Sequence, residues 1–185
     1  MSGSSQDKTQ LAKLVAQLAV VHGKVTLSSG IEADYYVDLR RATLHHEAAV
    51  LVGKVMLDLF AEAGLKPDAV GGLTMGADPV ASAMLHQASA RGLQLDAFVV
   101  RKEAKKHGMA RQVEGPEIQG RKVVILEDTS TTGGSPLTAA KAAEEAGAEV
   151  LAVATVVDRD TGARAAIESA GYAYYSALSL SDLGL

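Results

Sequence analysis

Val123-Val124-Ile125-Leu126-Glu127-Asp128-Thr129-Ser130-Thr131-Thr132-Gly133-Gly134-Ser135-Pro136 is the stretch on which the reading of this chain turns. Four successive apolar residues fit a strand buried on both faces. Two carboxylates stand at its C-terminal end, where adjacent acids repel unless something neutralises or hydrogen-bonds them. Six small or hydroxylated residues follow, Thr129 to Gly134, and offer hydroxyls and close-approaching backbone N–H groups suited to an anion such as a phosphate. Ser135 reads as an N-cap and Pro136 as a first helical residue, which sets the loop at a positive helix terminus. A plain polar turn explains Ser135-Pro136 and nothing before it. No lysine follows the glycines, so the loop is not a P-loop, and its glycine spacing is not that of a dinucleotide site.

The same alternation of short apolar strands and helices extends on both sides. Ala69 to Leu73 reads as a strand, Thr74 to Pro79 as a Gly-containing loop, and the Ala-rich run to about Arg91 as a helix. Strands follow at Leu95 to Val100 and Val150 to Val157, with helices at Pro136 to Ala146 and Ala163 to Ala170. Repeated βαβ units of this kind predict an α/β fold with a mostly parallel sheet, its ligands at the carboxyl ends of the strands. Upstream, Leu11, Leu14, Val15 and Leu18 keep helical spacing and predict a helix ending near Gly23. Val25 to Leu27 and Tyr35 to Val37 read as a strand pair around Ser28-Ser29-Gly30. A long helix is expected from about Leu44 to Ala63. Residues 1–7 are expected to be a mobile tail and 8–185 one domain.

One connection departs from the rhythm. Between the strands at Val100 and Val123 lie about twenty residues without apolar periodicity, a length uncommon in compact domains outside lids and binding loops. The segment opens Arg101-Lys102-Glu103-Ala104-Lys105-Lys106-His107-Gly108, a concentrated positive patch in a chain of net charge −4. That charge argues against a broad nucleic-acid surface. There is no cysteine, which excludes disulfides, thiolate nucleophiles and Cys-based metal sites. No apolar run reaches the length of a membrane span and no signal peptide is apparent, so a cytoplasmic protein without a membrane partner is expected.

Apolar strand, two acids and a Thr/Gly-rich loop resemble the signature of the type I phosphoribosyltransferases. Two further segments look like the orotate-using branch of that family. Arg101 to Gly108 is similar to its mobile catalytic loop, taken here as 101–118. Val25 to Gly30 with Tyr35-Tyr36-Val37-Asp38 is similar to its N-terminal hood, taken as mainly 8–42. The resemblance covers nearly the whole chain with three motifs in order. It implies the type I phosphoribosyltransferase fold: a mostly parallel central sheet flanked by helices, with a small hood and a mobile loop. It further implies Mg²⁺-dependent transfer of the phosphoribosyl group of phosphoribosyl diphosphate to orotate, giving orotidine 5′-monophosphate and diphosphate, a step of pyrimidine synthesis.

Residue by residue, the resemblance implies catalytic roles for Lys102, Lys105, His107 and Asp128. Arg101, Lys102, Lys105 and His107 would hold the diphosphate, with Lys102 donated across a homodimer interface. Glu127, Asp128, Thr129, Ser130, Thr131, Thr132, Gly133, Gly134 and Ser135 would hold the phosphoribosyl group. Thr131, Arg159 and Tyr36 would meet orotate, the guanidinium on its carboxylate and the aromatic face on its ring. Mg²⁺ would be held mainly by substrate. The chain departs from the pattern where many relatives carry lysine, at Ser28 and within Met75-Gly76-Ala77, so Arg101 and Lys105 are expected to carry more of the diphosphate binding.

The bland readings are a solvated basic loop for 101–107, an Asp-paired surface residue for Arg159 and a core pair for Tyr35-Tyr36. His22, His45 and His46 read as surface or capping groups, since adjacent histidines without a third ligand do not make a metal site. His86, on the Ala-rich helix, reads as solvated. A purine or uracil phosphoribosyltransferase shares the cradle but not the hood. A nucleic-acid-binding regulator would need a basic face or a DNA-reading helix that this chain does not supply.

Overall fold

The computed structural model describes residues 2–26, 32–103 and 112–185. Chain order is α1 (Ser2–Ala19), β1 (Val20–Thr26), β2 (Glu32–Val37), α2 (Arg40–Thr43), α3 (His46–Glu62), β3 (Ala69–Leu73), α4 (Ala77–Ala90), β4 (Asp96–Val100), β5 (Val113–Glu114), β6 (Lys122–Ser130), α5 (Gly134–Glu145), β7 (Glu149–Asp158), α6 (Ala163–Ser169) and β8 (Ala173–Ser179), ending in a short 3₁₀ turn, Ser181–Leu183.

Among the described residues six strands form the central sheet in the order β5-β4-β3-β6-β7-β8. All neighbouring pairs are parallel except β4 with β5. From β3 the chain winds outward to β4, then returns to β6 on the other side of β3. The topological switch therefore lies between β3 and β6, where crevices open at the carboxyl edge. Side chains of β6 alternate as a doubly covered strand requires. Val124 and Leu126 join the core against α1, α3 and α4. Val123 and Ile125 join the core against α5 and α6. Gly71 lets β3 sit close to β4, since a Cβ there would lie 2.1 Å from the Phe98 carbonyl oxygen.

The N-terminal segment makes a separate two-stranded antiparallel ribbon of β1 and β2, with Val20 opposite Val37 and Val21 opposite Tyr36. An Asp38 N–H donated to the Ala19 carbonyl (2.9 Å) fixes the end of β2 against the end of α1.

Several expectations are corrected. Residues 2–7 are not a tail but the first turns of α1, where Ser4 bonds Glu62 (3.4 Å) and Asp7 meets Lys54 (3.9 Å) on α3. The first helix stops at Ala19, before Gly23, because β-branched Val20 and Val21 pair with β2 instead. The connection after β4 is not wholly irregular: β5 pairs with β4, and Arg101 N–H donates to the Gln112 carbonyl (2.9 Å). Helix α5 begins two residues early, with Gly133 as N-cap at φ 82°, so Ser135 lies inside the first turn and does not cap it. β8 was not foreseen. His45 caps α3, its Nδ1 accepting from Glu47 N–H at 3.4 Å.

Candidate functional site

The segments that leave the sheet at the switch point meet the ribbon around a cavity of about 250 Å³. β3 delivers Leu73 to Gly76; β6 delivers Glu127, Asp128 and Thr129; α5 contributes Ser135; the turn after β2 brings Tyr36 to Arg40; Lys102 reaches in from beyond β4. The peptide between Thr74 and Met75 is cis. Thr74 Oγ1 donates to Asp78 Oδ2 at 2.7 Å, which ties the β3 loop to the first turn of α4.

The paired acids occupy the cavity floor. Glu127 is only 8% exposed. Burial, then the charge of Asp128, push its carboxyl from 4.5 up to about 8. Glu127 Oε1 accepts from Asp128 N–H (3.1 Å), and Asp128 Oδ1 accepts from Thr129 N–H (2.7 Å). Both side chains lean over Gly76. A Cβ at that position would stand 2.5 Å from Glu127 Oε1 and 2.9 Å from Asp128 Oδ1. Glycine at 76 is what lets the two carboxylates close on the β3 loop.

Three hydroxyls fasten the loop after β6 to the end of β7. Thr155 Oγ1 donates to the Asp128 carbonyl (3.2 Å), Ser130 Oγ to Asp158 Oδ1 (2.9 Å), and Thr161 Oγ1 to the Thr131 carbonyl (2.7 Å). Asp158 Oδ1 also accepts the Asp160 N–H (2.9 Å), which shapes the turn carrying Arg159. Arg159 in turn stands 6.0 Å from the centre of the Tyr36 ring. The structure thus brings together two of the three residues implied for the flat substrate, on elements 123 positions apart.

Of the residues singled out in the sequence, Tyr36, Lys102, Glu127, Asp128, Thr129 and Ser135 line the cavity. Thr131, Thr132 and Gly134 are exposed on the rim and Gly133 is buried beneath it. Ser130 is 2% exposed with its hydroxyl committed to Asp158, so its side chain faces inward, away from the cavity. Arg101 does not reach the wall; it pairs with Glu114 at 3.8 Å. Lys102 lines the cavity of its own chain. Lys105, His107 and Ser28 lie outside the described residues. Sequence reading missed Leu39, Arg40, Thr74 and Met75. The first two follow the hood strand directly, and the last two sit at the carboxyl edge of β3, where the parallel-sheet rule already points.

Residues 42–170 match the family model described as the phosphoribosyl transferase domain. The chain is 67% identical to the orotate phosphoribosyltransferase of Streptomyces coelicolor over 177 residues, 95% of this chain and 96% of that protein. It superposes on the crystal structure of the Mycobacterium tuberculosis orotate phosphoribosyltransferase in complex with Fe(III) dicitrate with a TM-score of 0.87 at 60% identity, covering 97% of this chain and 99% of that one. The complex of the same enzyme with 5-phospho-α-D-ribosyl 1-diphosphate gives 0.84 at 54% identity over the same shares. With its parallel sheet, its acid pair at the switch point and these matches along nearly its full length, the chain belongs to the orotate phosphoribosyltransferase branch of the phosphoribosyl transferase domain family.

Proposed function

We propose that this chain transfers the 5-phosphoribosyl group from phosphoribosyl diphosphate to orotate, releasing diphosphate and forming orotidine 5′-monophosphate for pyrimidine synthesis. The observation that carries the reading is the paired Glu127–Asp128 floor beside the loop 129–135, with Tyr36 and Arg159 adjacent. In the reaction the bond from C1′ to the diphosphate oxygen breaks, its electron pair leaving with the diphosphate, and a bond from an orotate ring nitrogen to C1′ forms. The enzyme therefore has to hold a sugar in line between two anions and stabilise a departing charge.

Each part of the site has a share in that work. Backbone N–H groups of 129–135 at the start of α5 suit the 5′-phosphate. Asp128, and Glu127 as a carboxyl titrating near 8, suit the ribose hydroxyls: one accepts, and the other donates while protonated. Arg159 offers a planar fork to the orotate carboxylate. Lys102 faces the cavity as a cation for the leaving group.

The donor set also fits Mg²⁺. The cavity wall is rich in hard oxygen donors, Asp38, Asp128 and Thr129 among them, and the acid pair holds a proton that a cation would displace. Among the described residues no three acidic or histidine side chains group to cage a metal. That suits an ion that keeps water and substrate oxygens as most of its ligands. Bound with substrate, Mg²⁺ would neutralise charge on the departing diphosphate.

A homodimer in the cytoplasm completes the proposal. No helix among the described residues is long and apolar enough to cross a membrane. Mixing Lys102→Ala with Asp128→Asn protomers restores activity if the 101–111 segment of one protomer serves the other's cavity. The mixture stays silent if Lys102 acts within its own chain. The decisive assay is diphosphate release with orotate, uracil, hypoxanthine and adenine in turn, with and without Mg²⁺. Release with orotate alone is expected, and release with another base instead overturns the assignment.

A further inference from the structure

We propose that Arg40, at the start of α2, is a substrate-binding residue that takes the diphosphate of phosphoribosyl diphosphate. The inference rests on the reading above and adds a residue that the sequence motifs did not indicate. Its starting point is the charge of the cavity wall. Asp38, Glu127 and Asp128 supply three carboxyl groups, against which the described lining sets two cations, Arg40 and Lys102. The substrate carries a diphosphate and a terminal phosphate, so a wall of this sign has to present its cations where those groups lie.

The floor cannot supply another. Gly76 has no room for a side chain unless both carboxylates move. Arg101 pairs with Glu114 at 3.8 Å, outside the cavity wall. Among the described residues the cation on the wall besides Lys102 is Arg40, at the roof.

Its geometry suits the role. Arg40 Nε donates to Asp38 Oδ1 at 3.1 Å. That single bond fixes the plane of the guanidinium while leaving both terminal nitrogens for a ligand. A fork of two parallel N–H donors matches adjacent phosphate oxygens better than a point charge does. Asp38 in turn is anchored through its backbone N–H on Ala19 (2.9 Å), so the clamp is mounted on the end of α1. The neighbouring groups that act on Arg40 are Asp38 first and then, more weakly, Tyr36 and Asp128. The simpler reading, an exposed Asp–Arg pair contributing little, accounts for the 3.1 Å bond but not for a guanidinium on the wall beside the acid pair.

Binding of inorganic diphosphate and of phosphoribosyl diphosphate, each with Mg²⁺, is to be measured by calorimetry on wild type, Arg40→Gln, Arg40→Lys and Arg41→Ala, together with both Michaelis constants. Arg40→Gln should weaken both ligands about tenfold and raise the phosphoribosyl diphosphate KM to match, with the orotate KM within twofold. Arg40→Lys, which keeps the charge but not the fork, should fall between. Arg41→Ala, on the exposed neighbour outside the cavity, should match wild type. Diphosphate affinity within twofold of wild type in Arg40→Gln overturns the proposal, as does an equal loss for both substrates. If Arg40→Gln does not fold, Arg40→Lys decides by the same split. Absence of orotate turnover in wild type would instead strike the functional reading, which separates the two failures.

Discussion

Replacing Glu127 with glutamine should flatten the dependence of stability on pH. The carboxyl is raised from 4.5 to about 8, first by burial and then by the charge of Asp128. In the unfolded chain the group ionises near its ordinary value, whereas in the fold it keeps its proton until about 8. Between those values the native state binds the extra proton, so stability is fullest below 4.5 and is lost as pH rises through 8. At about 1.36 kcal/mol per pKa unit, that interval bounds the loss at roughly 5 kcal/mol. Part of the penalty is shared with Asp128, which relaxes when its neighbour ionises. About 2–3 kcal/mol is therefore the expected share for Glu127 itself.

Glutamine keeps the shape and carries no proton to lose. For a domain of this size 1 kcal/mol moves Tm by about 2–4 °C. Between pH 5 and pH 8.5, Glu127→Gln should gain roughly 4–12 °C on wild type. Thermal melts of both proteins across that range, without substrate, are sufficient, because the titrating groups other than Glu127 and its neighbour Asp128 are common to the two and cancel in the difference. Parallel curves of Tm against pH would refute the argument, since they would mean Glu127 ionises in the fold as it does in water.

Other perturbations test separate parts of the framework. Gly71→Ala places a Cβ 2.1 Å from the Phe98 carbonyl, a backbone atom that cannot swing aside. It should cost about 3 kcal/mol or more by denaturant titration. Gly76→Ala meets the side-chain carboxylates of Glu127 and Asp128 first, not backbone. Its melting point should stay within a few degrees of wild type while the phosphoribosyl diphosphate KM rises about tenfold, and an unchanged KM would free the acid pair from the role given to it. Ser130→Ala removes the 2.9 Å bond to Asp158. About 1–2 kcal/mol of stability should go in melts, and the orotate KM should rise because the turn bearing Arg159 loses its anchor.

The parts of the fold that were legible in the sequence are those written in a local pattern. Val123 to Leu126 is apolar at every position because β6 is covered on both faces, and that is visible without knowing its neighbours. The ends of elements were less legible, since a partner often decides them. Val20 and Val21 continue a helical pattern until β2 is present to pair with them. Ser135 is a good capping residue, but Gly133, two positions earlier, reaches the left-handed conformation and starts the helix first. β5 has only two residues, too short to leave a period in the sequence, and is defined by its bonds to β4.

For the site the same distinction decides what could be read. Glu127 to Ser135 are contiguous, so their chemistry appears as a motif even though Ser130 then turns inward and only some of the rest face the cavity. Arg40 and Thr74 belong to no such run. They reach the cavity because the chain leaves β3 outward and returns through β6, which parts two loops at the switch point. The register of β1 with β2 then sets the turn after Val37 above that opening. A cation placed by strand register and sheet order has no sequence spacing relative to the acids it faces, 87 and 88 positions away. Charge balance across the assembled cavity was the signal that could find it, and that balance exists only once the wall is known.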